Sequence, residues 1–441
     1  MNIFRNYINR FFRESFSHLE LSMFDKKRIT YITLLALNMI LVFYARKLYL
    51  DAQYGCDEPM YVKLALWPFS QSHPMWSPIY IDMLHPFLAF FGEHLGFKIF
   101  RFILQFGATI SFFLFISRYT YQWAAFILSI FLQFNLVFCC SQNLPVLELF
   151  WLCSCFLLII NFPHYLGVGW GLMILGSLVR GEILFMGMLL LLIILVTNFR
   201  LIFNRKFIVG ACAPLLLFVS IIYLHGGSLS DYREKSLYHG NLGIVWFLRA
   251  TMHEMGYFSK YPYAFGETPD SVLNEVFLKH FGREFRELSY ANDNNLMYTL
   301  YKANPELVKT HLLKTFRDLP IKIVDALRIN IPLALYMDKS IQWTTVSGLF
   351  AWQTLLLCTI PLLATGRLKK KDSNEPARNK APLYKHFLPF LPLIGFVPWL
   401  LTYPQPHYIF PIIITYLATI AIACNYCVHI FPKVIERLRK A

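Results

Sequence analysis

The sequence predicts an all-α, polytopic membrane protein with about ten transmembrane helices. Of its 441 residues, 56% are hydrophobic and only 15% are charged, whereas a soluble domain is about 45–50% apolar and about 25% charged. The basic residues form short clusters between apolar runs, where Lys and Arg set membrane orientation. The formal charge of +15 therefore indicates a membrane protein and no nucleic-acid partner.

The candidate spans are the apolar runs, since a spanning helix needs about 20 predominantly apolar residues. These runs cover residues 30–50, 99–117, 123–139, 146–162, 166–179, 183–198, 207–224, 341–364, 386–402 and 407–430. The fifth and sixth runs are short and are separated only by Arg180, Gly181 and Glu182. This pattern is typical of two segments that turn near one membrane face.

Basic residues flanking the runs predict that both chain ends lie in the cytoplasm. Several of them, from Arg5 to Arg28, precede the first run, which places that end inside. Alternation then puts the Lys/Arg-rich segments 200–206, 367–385 and 431–441 inside as well. Only the inner turn at Pro163 lacks a basic cluster, so ten spans satisfy the positive-inside rule almost throughout.

This topology divides the chain into five parts. A cytoplasmic segment, 1–29, precedes transmembrane helices 1–7 in 30–224, which include an exterior loop at 51–98. A large exterior helical loop, 225–340, connects helices 7 and 8, and 341–430 holds helices 8–10 before the cytoplasmic tail 431–441. Apolar residues recur every three to four positions in 305–319, which predicts an amphipathic helix on the bilayer surface. An aromatic-rich stretch, 78–97, predicts a second interfacial helix.

An acidic pair, Asp57 and Glu58, lies just beyond the outer end of the first predicted span. Two adjacent carboxylates beside a low-dielectric region raise each other's pKa, and a carboxylate placed there can accept a proton from a hydroxyl or amine. The alternative is that both are solvated loop charges, or that they cap a short helix starting at Pro59.

Further polar residues recur at the predicted exterior side. Asp82 and His85 share one face of a helix turn and could bind a metal, a phosphate or a sugar hydroxyl, or could be ordinary interfacial residues. Arg180 and Glu182 stand at the outer boundary, where ionisable groups tend to be functional, or else form a structural ion pair or snorkel. Three prolines frame the late pair His407 and Tyr408. The alternative, a simple turn with a tyrosine at the membrane interface, explains Tyr408 but not the prolines around it.

Nucleotide-driven chemistry finds no support in the sequence. It contains no P-loop, no G-x-G-x-x-G after a strand, no H-E-x-x-H and no G-x-S-x-G. The predicted interior loops are also too short for a nucleotide-binding domain, so a substrate must reach the exterior face or come from the bilayer.

The order of these motifs resembles the GT-C superfamily of integral-membrane glycosyltransferases, which includes protein O-mannosyltransferases and the enzyme that adds aminoarabinose to lipid A. The motifs are an acidic pair after the first span, a later His-Pro-x-Leu, a central Arg-x-Glu, an exterior Asn-Pro and a late His-Tyr-x-x-Pro. Two positions depart from the family, which often has Pro where this chain has Phe87 and Arg where it has His407.

The resemblance implies an inverting transfer from a polyprenyl-phosphate sugar to a glycan, lipid or protein acceptor. Asp57 would be the general base and Glu58 would orient the acceptor or a neighbouring group. Donor phosphate and sugar would be held by residues of the exterior face: Asp82, His85, Arg180, Glu182, His407 and Tyr408. A divalent metal near the acidic pair is left open.

These expectations favour a multi-pass protein of the bacterial inner membrane, with its active site on the periplasmic face. The absence of any N-x-S/T sequon agrees with a bacterial setting. The alternative is a non-enzymatic flippase or transporter of lipid or polysaccharide. Transporters place charges along the middle of their spans, whereas the ionisable residues singled out here collect at the exterior rim. We expect them to converge on one cavity open to lipid.

Overall fold

The computed structural model describes residues 26–48, 58–67, 77–133, 143–226, 278–279, 282, 309, 384–395 and 412–429. These residues are almost entirely helical and include no strand, which agrees with the all-α prediction. Several sequence predictions fall outside them. The main ones are most of the cytoplasmic segment 1–29, most of the exterior loop 225–340 with its amphipathic stretch 305–319, the span 341–364, the second part of the span 386–402, the tail 431–441, and the residues Asp57, His407 and Tyr408.

The helices are numbered here in chain order: α1 Lys26–Leu48, α2 Glu58–Leu66, α3 Pro78–Phe91, α4 Glu93–Ile116, α5 Gln122–Gln133, α6 Asn143–Asn161, α7 Leu166–Gly176, α8 Glu182–Asn198, α9 Arg205–Gly226 and α10 Ile412–His429. Short helical turns at Pro163–Tyr165, Phe199–Leu201, Tyr384–Phe387, Leu388–Phe390 and Pro392–Gly395 connect or precede them.

Four stretches of the described chain are long and apolar enough to cross a membrane: Glu93–Ile116, Asn143–Asn161, Glu182–Leu201 and Arg205–His225. Shorter apolar helices accompany them at Thr30–Phe43, Gln122–Gln133 and Ile413–Ala423. The membrane character of the chain therefore rests on these helices. A total of ten spans stays a prediction.

The core lies where α4 packs against α6, with α1 and α5 on one side and α7 on the other. Large aromatic side chains fill it without exposure, among them Phe112, Phe115 and Phe156. By contrast, α8 and α9 keep much of their apolar surface exposed. This distribution suits helices at the lipid boundary, since a helix that is apolar all round needs either protein or lipid around it.

The predicted interfacial helix 78–97 is divided in two at Gly92. That residue has φ of 75° and ψ of 166°, a conformation open almost only to glycine. Helix α3 therefore ends at Phe91, and α4 begins at Glu93, not at residue 99 as predicted. The two helices fold back on each other so closely that a Cβ atom on Gly96 would collide with the backbone of Phe87.

Helix α7 has 11 residues, but the helical turn Pro163–Tyr165 runs directly into it and i to i+3 hydrogen bonds continue the helical stretch to Val179. The fifth span, 166–179, stays a prediction.

The glycines of α7 allow close packing against α6 and α9, because a side chain on Gly167 would meet the backbone of Phe207 and one on Gly176 would meet Trp151. The turn between α7 and α8 meets α6 at Glu148, through the ion pair with Arg180.

Cross-helix hydrogen bonds join segments that the predicted topology assigns to the same side. On the predicted inner side, Tyr119 Oη donates to the carbonyl oxygen of Lys385 at 3.2 Å, and Lys385 Nζ donates to that of Ile160 at 2.8 Å. On the predicted outer side, three such contacts attach the first exterior loop to the outer ends of other helices. The outer side is the side that the sequence predicts as exterior.

Candidate functional site at the outer helix ends

The side chain of Glu58 is buried, with 1% of the residue exposed. Its Oε2 accepts a hydrogen bond from Tyr80 Oη at 2.7 Å, and its Oε1 accepts one from the backbone N–H of Asn143 at 2.5 Å. Glu58 is also the first residue of α2, where the helix dipole favours a carboxylate. Glu58 is therefore an internal anchor and not a solvated loop charge.

Tyr80 and Asn143 complete this hydrogen-bond network. Asn143 Nδ2 donates to Tyr80 Oη at 3.2 Å, and both residues are buried. Burial, and after it the neighbouring Glu58 carboxylate, raise the pKa of Tyr80 well above its ordinary value. The phenol therefore keeps its proton at neutral pH and remains a donor to Glu58.

Ser77 fixes the beginning of α3 to the turn between α7 and α8. Its Oγ accepts from the backbone N–H of Tyr80 at 3.3 Å as the N-cap of α3, and Pro78 follows at the first helical position. The same hydroxyl donates to the carbonyl oxygen of Leu178 at 2.9 Å. One residue thus starts a helix of the first exterior loop and places it beside the α7–α8 turn.

That turn carries a buried ion cluster. Arg180 Nη1 lies 3.2 Å from Glu148 Oε2, and Arg180 Nη2 lies 2.8 Å from Glu182 Oε1. Glu148 has no exposed surface and stands on α6, five residues or ~7.5 Å below Asn143. Two carboxylates surround one guanidinium, which favours a structural role for Arg180 over a free cation that could bind a phosphate.

Asp82 and His85, the two site residues that the sequence predicts on α3, have different partners. Asp82 accepts from His225 Nε2 at 2.9 and 3.0 Å, which attaches α3 to the outer end of α9. His85 Nδ1 donates to the carbonyl oxygen of Ala65 at 2.7 Å and holds the end of α2. That bond fixes the tautomer of His85 and leaves Nε2 as the ring atom that can meet a ligand.

The structure therefore places these predicted residues in three separate contacts: Glu58 with Tyr80 and Asn143, Asp82 with His225, and Arg180 with Glu148 and Glu182. His85 contacts α2 instead. Their convergence on one cavity stays a prediction. Asp57 precedes Glu58 directly in the chain but, like His407 and Tyr408, lies outside the described residues. Among the described residues, no group of three His, Cys, Asp or Glu side chains is arranged to hold a metal ion. A metal near the acidic pair stays a prediction.

Five further site residues did not emerge from the sequence: Ser77, Tyr80, Asn143, Glu148 and His225. Only Glu148 had a clear signal, because a carboxylate inside a predicted span is costly and tends to be functional. Ser77 followed by Pro78 is an N-cap pattern, but the pattern does not reveal the bond to Leu178. Tyr80, Asn143 and His225 became visible only through contacts between distant segments.

Comparisons with protein-family models, with curated proteins and with solved structures found no match to this chain.

Proposed function

We propose that this protein is a membrane glycosyltransferase that moves a sugar from a polyprenyl-phosphate donor to an acceptor on the exterior face, with inversion at the transferred carbon. Asp57 is the general base. The observation that supports this most is the attachment of the first exterior loop, through Glu58, Ser77 and Asp82, to the outer ends of α6 and α9 and to the α7–α8 turn. An acidic pair held by such contacts can present a carboxylate in a fixed direction.

The chemical step follows from this assignment. Asp57 takes the proton of the acceptor hydroxyl while the acceptor oxygen forms a bond to the anomeric carbon of the sugar. The bond from that carbon to the phosphate oxygen breaks, and the polyprenyl phosphate leaves with the electron pair. Because the acceptor attacks from the face opposite the leaving group, configuration inverts.

Charge on the departing phosphate needs a donor or a cation nearby. His85 is the described residue best suited to this role when its ring carries both protons, because Nδ1–H is bound to the carbonyl oxygen of Ala65 and only a protonated Nε2 can donate to the phosphate. His407 is the second candidate, from the sequence alone. We assign Arg180 to the structural cluster with Glu148 and Glu182 and not to the phosphate.

The setting that fits these roles is the inner membrane of a bacterium, with the site on the periplasmic face. The donor would enter from the bilayer with its isoprenoid tail in lipid. A glycan, a lipid or a protein could be the acceptor, because each provides a hydroxyl or amine on that face.

Substitution of Asp57 by Asn tests the base. We expect sugar transfer from a panel of polyprenyl-phosphate sugars, measured as released lipid phosphate, to fall by about two orders of magnitude or more. Asp51→Asn in the same loop is the matched control and should retain transfer. Equal transfer by wild type and the Asp57 variant would remove Asp57 from the mechanism.

A flippase or transporter is the second candidate, and the ion cluster favours it. Glu148 is a fully buried carboxylate within a candidate span, and buried ionisable groups at depth often mark transport pathways. Purified protein in proteoliposomes distinguishes the two functions. Sugar-lipid translocation without release of lipid phosphate would support the transporter, and the reverse result would support the enzyme.

A further inference from the structure

The hydrogen bonds at Glu58 have a defined polarity. The Nδ2 group of Asn143 can only donate, so Tyr80 Oη accepts from it and directs its own hydrogen to Glu58 Oε2. The backbone N–H of Asn143 donates to the other carboxylate oxygen. Two donors on one buried carboxylate stabilise its ionised form. All three residues are at most 1% exposed, so water does not compete for these bonds.

We propose that Tyr80 and Asn143 are positioning residues of the transfer reaction, which hold Glu58 as a fixed negative charge immediately beside the base Asp57. This inference rests on the proposed function. It goes beyond it because neither residue touches the reacting atoms. Both act through Glu58, and Asn143 brings the outer end of α6 into the site.

The value of such a charge follows from electrostatics. Asp57 and Glu58 are consecutive in the chain, and a like charge nearby favours the protonated form of a carboxyl. A general base works best when its proton affinity suits neutral pH, and an isolated Asp is too weak a base for that. Under this proposal, the charge on Glu58 makes Asp57 a stronger base.

Fixed orientation is the second contribution. Glu58 begins α2, and its two bonds fix the entry of the chain into that helix against α3 and α6. Tyr80 packs edge-to-face against Phe100 of α4, with ring centres 5.4 Å apart, and this contact keeps the phenol of Tyr80 in place. A shift of about 1 Å in a reacting group can cost about 100-fold in rate.

The test compares two Tyr→Phe variants that each remove one hydroxyl. Tyr80→Phe removes the donor to Glu58, whereas Tyr119→Phe removes a donor on the predicted inner side. We expect Tyr80→Phe to lower kcat about tenfold with the donor KM unchanged, which is the scale of one hydrogen bond to a charged group. Tyr119→Phe should leave both constants near wild type. Equal constants in the two variants would overturn the proposal.

A pH profile separates positioning from mere structural support. In Glu58→Gln the base loses its charged neighbour, so the acidic limb of kcat/KM should move to lower pH by about half a unit or more. An unmoved limb in an active Glu58→Gln protein would contradict the electrostatic role.

A double-mutant cycle on thermal unfolding in detergent keeps this inference separate from the proposed function. Tyr80→Phe and Glu58→Gln should be non-additive, because they remove two ends of one bond. Strict additivity would show that Tyr80 does not hold Glu58. A wild-type chain that transfers no sugar would instead overturn the proposed function, whatever the cycle gives.

Discussion

Arg180 is balanced by two carboxylates at a depth where water is scarce. It contacts Glu148 and Glu182, and all three residues are at most 5% exposed. Removal of the cation leaves two buried carboxylates facing each other, whereas neutralisation of one carboxylate leaves a matched pair. Loss of the Arg180 charge should therefore lower stability more than loss of either carboxylate charge.

We expect Arg180→Gln to destabilise the protein by about 3–5 kcal/mol, the usual cost of an uncompensated buried charge. Glu148→Gln keeps the shape and one ion pair, so its cost should be about 1 kcal/mol or less. Thermal unfolding in detergent, with the yield of monodisperse protein, measures both. The double variant Arg180→Gln, Glu148→Gln should recover part of the loss. A Glu148→Gln protein as unstable as Arg180→Gln would contradict this charge balance.

Much of this residue-scale detail was beyond the sequence. Arg180 and Glu182 stand two positions apart and their pairing could be considered in advance, but Glu148 lies on another helix. Likewise, the spacing of Asp57 and Glu58 predicts mutual repulsion, yet it does not reveal that Glu58 is bound by Tyr80 and by a backbone N–H. Such partners depend on which helix ends meet.

Close helix packing at the element scale depends on a few glycines. Gly96 lies against the backbone of Phe87, where α4 turns back on α3. Gly107, further along the same helix, faces the ring of Phe150, whose nearest atom would be 3.1 Å from an added Cβ. A ring can shift by a few tenths of an ångström, but two backbones cannot separate without moving α3.

Gly96→Ala should therefore destabilise the protein by about 1–3 kcal/mol, the cost of overpacking a close contact. Gly107→Ala should be close to neutral, because better helix propensity offsets a small adjustment of Phe150. Thermal unfolding compares them, and because α3 carries Tyr80 and His85, Gly96→Ala should also lower sugar transfer. Similar melting temperatures for the two variants would argue against tight α3–α4 packing.

Element types were predictable from apolar runs, whereas element boundaries were not. The stretch 78–97 is apolar and aromatic throughout, so its pattern continues across the residue that breaks it, Gly92. Hydropathy likewise predicts one continuous span over 166–179, where the structure has the 11-residue α7 between a preceding helical turn and the turn at 177–179. The difference comes from tertiary packing, because a short glycine-rich helix is stable only when its neighbours lie close.

At the scale of the whole molecule, the α7–α8 turn fixes the position of the first exterior loop. Arg180 in this turn pairs with Glu148, five residues along α6 from Asn143. Ser77 bonds to this turn at Leu178, so the beginning of α3 occupies the space above it. The α7–α8 turn thus supports the loop that carries the candidate site.

Membrane sidedness is the property on which the proposed site depends most. The hairpin α7–α8 starts and ends on the same side of the membrane, whether or not it crosses the whole bilayer. The side on which α9 begins is therefore the same in both cases. His94, exposed at the start of α4, should therefore lie outside, and Asn204, exposed before α9, should lie inside. Arg118, exposed between α4 and α5, should lie on the same side as Asn204.

Single cysteines in a background without the native cysteines test this arrangement. We expect His94→Cys to react with a membrane-impermeant maleimide in intact cells, and Arg118→Cys and Asn204→Cys to react only after permeabilisation. Gly181→Cys, in the buried turn between α7 and α8, should stay unreactive in both conditions. Labelling of Asn204→Cys from outside would place the start of α9 outside and its end inside. The acidic pair and the end of α9 would then lie on opposite sides, which the bond between Asp82 and His225 does not allow, so this outcome would overturn the outer site as a whole.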